Sequence, residues 1–265
     1  MQVDKGRLAS GAVRRKSDGR VFPFHMELLG TDWLGRALAL QTAVLRQVKE
    51  PGLVVSLSAD EFERMLGPEG KVVGVLAQER LIGLFGVYFP GSSEENLARD
   101  LDMPPTERLR AFHMEIAYVD PDFQGNGLQK QMMAALVGRV ARGGAYRWAL
   151  ATIDPRNLAS LVSAFGLKLL AARVMPKYGG LLRYIMVQDV ARPIAVDAGS
   201  AVEVPIEDVE RQQDMFAHGY VGYQIAGGSS AGSGGVRILL GRAKDDRWPP
   251  QRRVDRPDGM EGHDE

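Results

Sequence analysis

One stretch limits what this chain can fold into more than any other: V-D-P-D-F-Q-G-N-G-L-Q-K-Q-M-M, residues 119–133. The run AFHMEIAYV (111–119) leads into it with strand character, and Leu128, Met132, Leu136 and Val140 leave it at a spacing of four, which predicts a helix over about 125–142 with one buried stripe. Gly125 and Gly127 sit between the two. A strand–turn–helix of this kind leaves the first backbone N–H groups of the helix unpaired and pointing one way, at the positive end of the helix dipole. That is an anion site suited to phosphate or pyrophosphate. The same glycines also suit a tight turn that needs positive φ, and alone they do not separate the two readings.

Two phosphate motifs are excluded. A P-loop needs G-x-x-x-x-G-K-[ST], which does not occur, and a dinucleotide fingerprint needs a third small residue where Lys130 stands, within a βαβ frame. Residues 71–78 (KVVGVLAQ) and 80–89 (RLIGLFGVYF) read as an antiparallel hairpin, FHMELLG (24–30) as a first strand, and RWALATI (147–153), GLKLLAARVM (166–175) and LLRYIMVQDV (181–190) as further strands. Trp33, Leu34, Ala37, Leu38, Val44 and Leu45, with Gln41 as the polar exception, mark one helix; Ser58 and Glu61 form a capping-box pattern that starts another. The order is that of a mixed α/β sheet flanked by helices, not of a strictly alternating dinucleotide fold.

Residues 90–110 (PGSSEENLARDLDMPPTERLR) are too long for a hairpin turn, and are expected to be either a surface loop with a helical turn or a lid. Residues 1–21, with six Lys or Arg against two Asp, are expected to be a flexible arm. The main domain should span 22–190, followed by a small α/β extension over 191–243 with a hairpin across the Gly/Ser loop 227–235, and a charged disordered tail over 244–265. The extension is a candidate for covering a sheet edge, forming a homodimer contact or closing a substrate pocket.

The chain has 265 residues and zero formal net charge, so nothing global points to nucleic acid or an anionic membrane surface. No apolar run is long enough to span a bilayer. The absence of cysteine removes disulfides, thiolate metal sites and a Cys nucleophile, and fits a cytoplasmic location. Four histidines, none paired at ligand spacing, give no metal site.

The stretch V-D-P-D-F-Q-G-N-G-L-Q resembles the acyl-CoA signature [Q/R]-x-x-G-x-[G/A] of the GCN5-related N-acetyltransferases (GNAT family). A second block, A-T-I-D-P-R-N-L-A-S-L, is similar to that family's later strand followed by N-x-x-[SA]. The resemblance covers about residues 24–190. It implies a mixed, mostly antiparallel sheet and acetyl-CoA as co-substrate, with a small-molecule or protein amine as acceptor. It implies that Gln124, Gly125, Asn126, Gly127, Leu128 and Gln129 cradle the pyrophosphate. Val119 would offer backbone hydrogen bonds, and Asn157 and Ser160 would contact the cofactor from the next helix. Two positions depart from the pattern: Gln129 stands where a small residue is usual, and Phe165 where members often carry a tyrosine acid.

Amide formation needs a neutral amine. A lysine-like amine with pKa near 10.4 is under ~0.1% neutral at pH 7, so a base helps. Glu115, on the strand entering the glycine turn and on the same face as His113 by period-two alternation, is the candidate base. Tyr178, between the last two main strands, is the candidate acid in place of Phe165, and Arg183 a partner for a carboxylate. The rival reading is a member that binds acyl-CoA without turnover, as a sensor.

Overall fold

The computed structural model describes residues 7–48, 50, 52–227 and 235–244. The expected hairpin is β3 (Gly70–Ala77) and β4 (Arg80–Tyr88), joined by Gln78 and Glu79. Both turn residues have positive φ, 51° and 60°, which matches the right-handed twist of a two-residue hairpin. These strands are apolar on both faces and so need cover on both. Val72, Leu76, Leu81 and Leu84 pack with α1 (Leu34–Leu45) and α2 (Ala59–Leu66), while Val73, Val75, Ile82 and Phe85 pack with α4 (Leu128–Arg142). Gln41, the polar exception in α1, is buried but satisfied: it accepts from the Tyr118 hydroxyl and the Leu57 N–H and donates to the Leu57 carbonyl. Ser58 and Glu61 make the capping box that starts α2.

Strand β5 (Ala111–Val119) pairs antiparallel with β4. Val87 faces Met114 but Gly86 faces Ile116, so Glu115 is an extra residue, a β-bulge. The bulge reverses the alternation. Phe112 and Met114 pack in the core around α4, and Ile116 and Tyr118 in the core under α1 and α2. On its other side β5 runs parallel to β6 (Trp148–Ile153) only where Ala111, Phe112 and His113 meet Trp148, Ala149 and Leu150. Beyond the bulge the two strands part.

The sheet continues through β8 (Leu181–Asp189) and β7 (Leu170–Lys177), the latter reached through α5 (Leu158–Gly166). The C-terminal segment supplies β9 (Val196–Pro205), α6 (Val209–Ala217), β10 (Tyr220–Ala226) and β11 (Arg237–Ala243). Strand β10 joins β7 at Gly222 opposite Ala171, giving one sheet of 11 strands. The result is the mixed α/β fold expected from the element order, and it is mostly antiparallel, as the family resemblance implies.

The N-terminal expectation needs correction. Residues 9–14 are not part of a flexible arm: β1 (Ala9–Arg14) pairs along its length with β2 (Val21–Leu29), from Ala9 opposite Met26 to Arg14 opposite Val21. An edge strand requires a neighbour on one side only, and of these residues Val13 alone is fully buried, so apolar alternation did not mark it. The Gly/Ser loop and the tail lie outside the described residues, apart from Gly227, Gly235 and Lys244.

Candidate active site

The glycine turn is as open as its sequence requires. Gly125 and Gly127 have φ of 88° and 69°, and a side chain built on either would meet nothing nearer than Lys16 at 4.0 Å or Gln131 at 3.9 Å. Gly127 is the N-cap of α4, and neither a side-chain cap nor an acidic residue occupies its first turn. The dipole's positive end and its unpaired N–H groups therefore face open space. Leu128 is buried and begins the core stripe completed by Met132, Leu136 and Val140; its part in the turn is through its backbone.

Asn126 works inward. It accepts from the Arg14 N–H at 2.8 Å and donates to the carbonyls of Arg14 and Phe123 at 2.9 and 2.8 Å. With a bond from the Lys16 N–H to the Asp122 carbonyl at 2.7 Å, it fastens the β1–β2 hairpin to the turn. Arg14 and Arg15 are committed within the hairpin, to the Gly19 carbonyl and the Asp18 carboxylate. The Lys16 ammonium makes no ion pair among the described residues and lies beside Gly125. Sequence reading missed this cation because its segment looked unstructured.

Where β5 and β6 part, a cavity of about 300 Å³ opens, lined by Glu115, Ala117, Tyr118, Thr152, Asn157 and Gln129 among others. Its strand edges carry backbone groups without a ladder partner on the cavity side. Ser160 also lines it. Asn157 is the N-cap of α5, its Oδ1 accepting from the Ser160 N–H at 3.1 Å. Val119 does not line the cavity but packs against the core, its carbonyl accepting from the Gln124 side chain at 3.4 Å. Phe165 packs in the core.

A second cavity, about 420 Å³, lies on the other side of Glu115 and Tyr178, which with Leu57 and Glu61 line both. Its far wall includes Glu94, Glu95 and Leu97 from the 90–110 segment. That segment is a packed loop. Leu97, Ala98, Leu101 and Met103 are buried, and α3 (Pro105–Arg108) is its one helical turn. Buried Asn96 donates to the carbonyls of Gly91 and Arg108 and accepts from the Ala98 N–H. Asp100 and Asp102 are tied to Lys177 and Arg173 at 2.8 and 2.9 Å, so of the loop's acidic residues only Glu94 and Glu95 reach the cavity wall.

Glu115 Oε1 lies 3.1 Å from Nδ1 of His113, as their shared face predicts. The Tyr178 hydroxyl is 3.1 Å from Thr152 Oγ1. Burial first, then the charge of Glu115, push the Tyr178 phenol above its ordinary range, against an opposing hydrogen bond from Thr152. Tyr178 keeps its proton through neutral pH. Arg183 is buried and donates to Asp154 at 2.6 Å and to the Gly52 carbonyl, so the carboxylate it pairs with belongs to the protein. Burial raises the Asp154 carboxyl, but hydrogen bonds from Arg156 and the charge of Arg183 outweigh it and hold the group below its usual range.

Residues 42–162 match the model of the Acetyltransferase (GNAT) family. The fold agrees. The structure of Arabidopsis thaliana NAA60 in complex with acetyl-CoA superposes with a TM-score of 0.51 at 10% identity, over 64% of this chain and 99% of that one. A second similar structure is yncA, a putative acetyltransferase from Salmonella typhimurium solved with acetyl-CoA, at 18% identity and a TM-score of 0.47, over 66% of this chain and 98% of that one. No curated protein matches the chain. Among the described residues no helix is long and apolar enough to cross a membrane.

Proposed function

We propose that the protein transfers an acetyl group from acetyl-CoA to a primary amine by direct attack in a ternary complex. The observation that carries this reading is the meeting of two cavities at Glu115 and Tyr178. One lies between β5 and β6 beside α4, and the other is walled by the packed loop. The residues at the turn fit a diphosphate: the helix end is uncapped, nothing acidic occupies its first turn, and the space above both glycines is free. When bound, acetyl-CoA supplies the thioester. The unpaired edges of β5 and β6 suit the two amides of a pantetheine arm, as a partner strand would.

In this reading the amine enters by the second cavity, a small molecule or the amino group of a protein. Glu115 takes its proton, directly or through one water, as the C–N bond forms. The C–S bond breaks and Tyr178 gives its proton to the leaving thiolate, with no covalent bond to the enzyme. Backbone N–H groups beyond the bulge hold the developing oxyanion in this reading. Phe165, with no hydroxyl, is what favours the alternative of a non-catalytic acyl-CoA sensor.

Calorimetric titration with acetyl-CoA, CoA and NADH tests the cofactor half. Binding of both CoA species at low micromolar levels, absent for NADH and abolished by Gly127→Glu, is expected. A chain that binds no CoA species refutes the reading. Binding without thioester consumption across a broad amine panel leaves the sensor.

A further inference from the structure

His113 is almost wholly enclosed, at 3% exposure, and its two ring nitrogens face in opposite directions. Nε2 accepts the backbone N–H of Leu97 at 3.0 Å. Nδ1 lies 3.1 Å from Glu115 Oε1. An N–H pointed at Nε2 leaves no room for a proton there, so the ring's proton sits on Nδ1 and is donated to Glu115. One buried imidazole thus links the packed 90–103 loop to a carboxylate at the junction of the two cavities.

The linkage has a reason in the backbone. Glu115 is the bulged residue of β5, and an extra residue between ladder bonds has fewer constraints on its direction than its neighbours. Its side chain is also partly exposed, at 27%. Without a partner it samples several rotamers. His113, two residues away, is rigid: Tyr88 packs edge-on at 6.0 Å between ring centres, and the Leu97 N–H fixes the tautomer. Leu97 is itself held by the bonds of Asn96.

The geometry points to His113 as a positioning residue, which aims Glu115 at the incoming amine through its Nδ1–H; this rests on Glu115 acting as the base. The proton His113 holds on Nδ1 stays on Nδ1 throughout. It is donated to the carboxylate oxygen, leaving Oε2 to receive the proton of the amine.

Two substitutions separate the contacts of the ring. In His113→Asn the amide nitrogen takes the place of Nδ1 and keeps a donor toward Glu115, while the contact to Leu97 is lost. In His113→Gln the longer side chain offers an acceptor to Leu97 and no donor at the Nδ1 position. Each is compared with wild type by release of CoA thiol from acetyl-CoA, with water, ethanolamine, spermidine and an alanyl peptide as acceptors. Acetyl-CoA affinity and thermal midpoint are measured alongside. The expected result is a kcat for His113→Asn within about fivefold of wild type and one for His113→Gln lower by about 10- to 100-fold, with acetyl-CoA affinity unchanged in both. In a Glu115→Gln background neither substitution should lower the rate further, because the two residues act as one unit.

Equal rates in the two variants, or rates that follow thermal stability alone, overturn the positioning role while leaving Glu115 as base. A fully active Glu115→Gln, or a wild type that consumes no thioester with any of these acceptors, overturns the base reading and this inference with it. Nitrogen-15 spectra of the His113 ring give a check that needs no acceptor: protonated Nδ1 and bare Nε2 are expected, and the reverse tautomer refutes the assignment.

Discussion

At the scale of single residues, Glu115 and Gly127 carry the most. Glu115→Gln is nearly isosteric and leaves the bulge in place, so acetyl-CoA binding should persist while turnover falls by about 10²–10⁴, the usual worth of a positioned base. Coupled thiol release and titration read the two separately. At Gly127 a methyl group meets no neighbour nearer than 3.9 Å, so Gly127→Ala costs only the strain of a left-handed alanine, about 1 kcal/mol of unfolding free energy by urea titration. Asp154 gives a pH signature. Its folded pKa is held below the ordinary carboxylate value, so its stabilisation is complete above that ordinary value and disappears as pH falls through the lower folded one. Asp154→Asn, which leaves buried Arg183 without its anion, should lower stability by about 3–5 kcal/mol at neutral pH. The gap between variant and wild type in urea melts should close on acidification.

At the scale of elements, the 90–110 loop was the hardest to read. Its composition is that of a solvated lid, yet Leu97, Leu101 and Met103 are buried and Asn96 is 1% exposed. Nothing in a run of Glu, Arg, Asp and Pro distinguishes acids that tie the loop to β7 from acids that face water. The distinction depends on Arg173 and Lys177, about seventy residues away in the chain. Asn96→Ala removes three satisfied bonds, so a loss of about 1–3 kcal/mol in thermal or urea unfolding is expected. A short α4 stripe and a glycine turn, by contrast, are local signals. Leu128, Met132, Leu136 and Val140 were placed from spacing alone and all four are buried. The bulge at Glu115 was not legible, since nothing in AFHMEIAYV announces that one residue lacks a partner.

For the whole molecule, the extension beyond residue 190 covers a sheet edge, one of the roles its sequence suggests: β10 pairs with β7, and Val204, Phe216, Ile238 and Leu240 belong to the same core as α4 and β5. The Tyr184 hydroxyl donates to buried Gln212 at 2.6 Å, and Gln212 donates in turn to the carbonyls of Pro205 and Ile206. A chain ending at 190 loses these partners and bares the edge of β7, so it should be recovered as aggregate or unfold without cooperativity, as light scattering and calorimetry would record. Recovery of a cooperatively folded fragment would show that the first 190 residues fold without it.

The parting of β5 from β6 has one more outcome. Along a strand, successive amides point to opposite sides. From Met114 to Val119 one set is locked against β4, while the other faces a slot. Deuterium should therefore enter this strand in alternation, slow and fast residue by residue. A ligand that lies along the slot should slow the fast set and leave its neighbours unchanged, recording its own path one amide at a time.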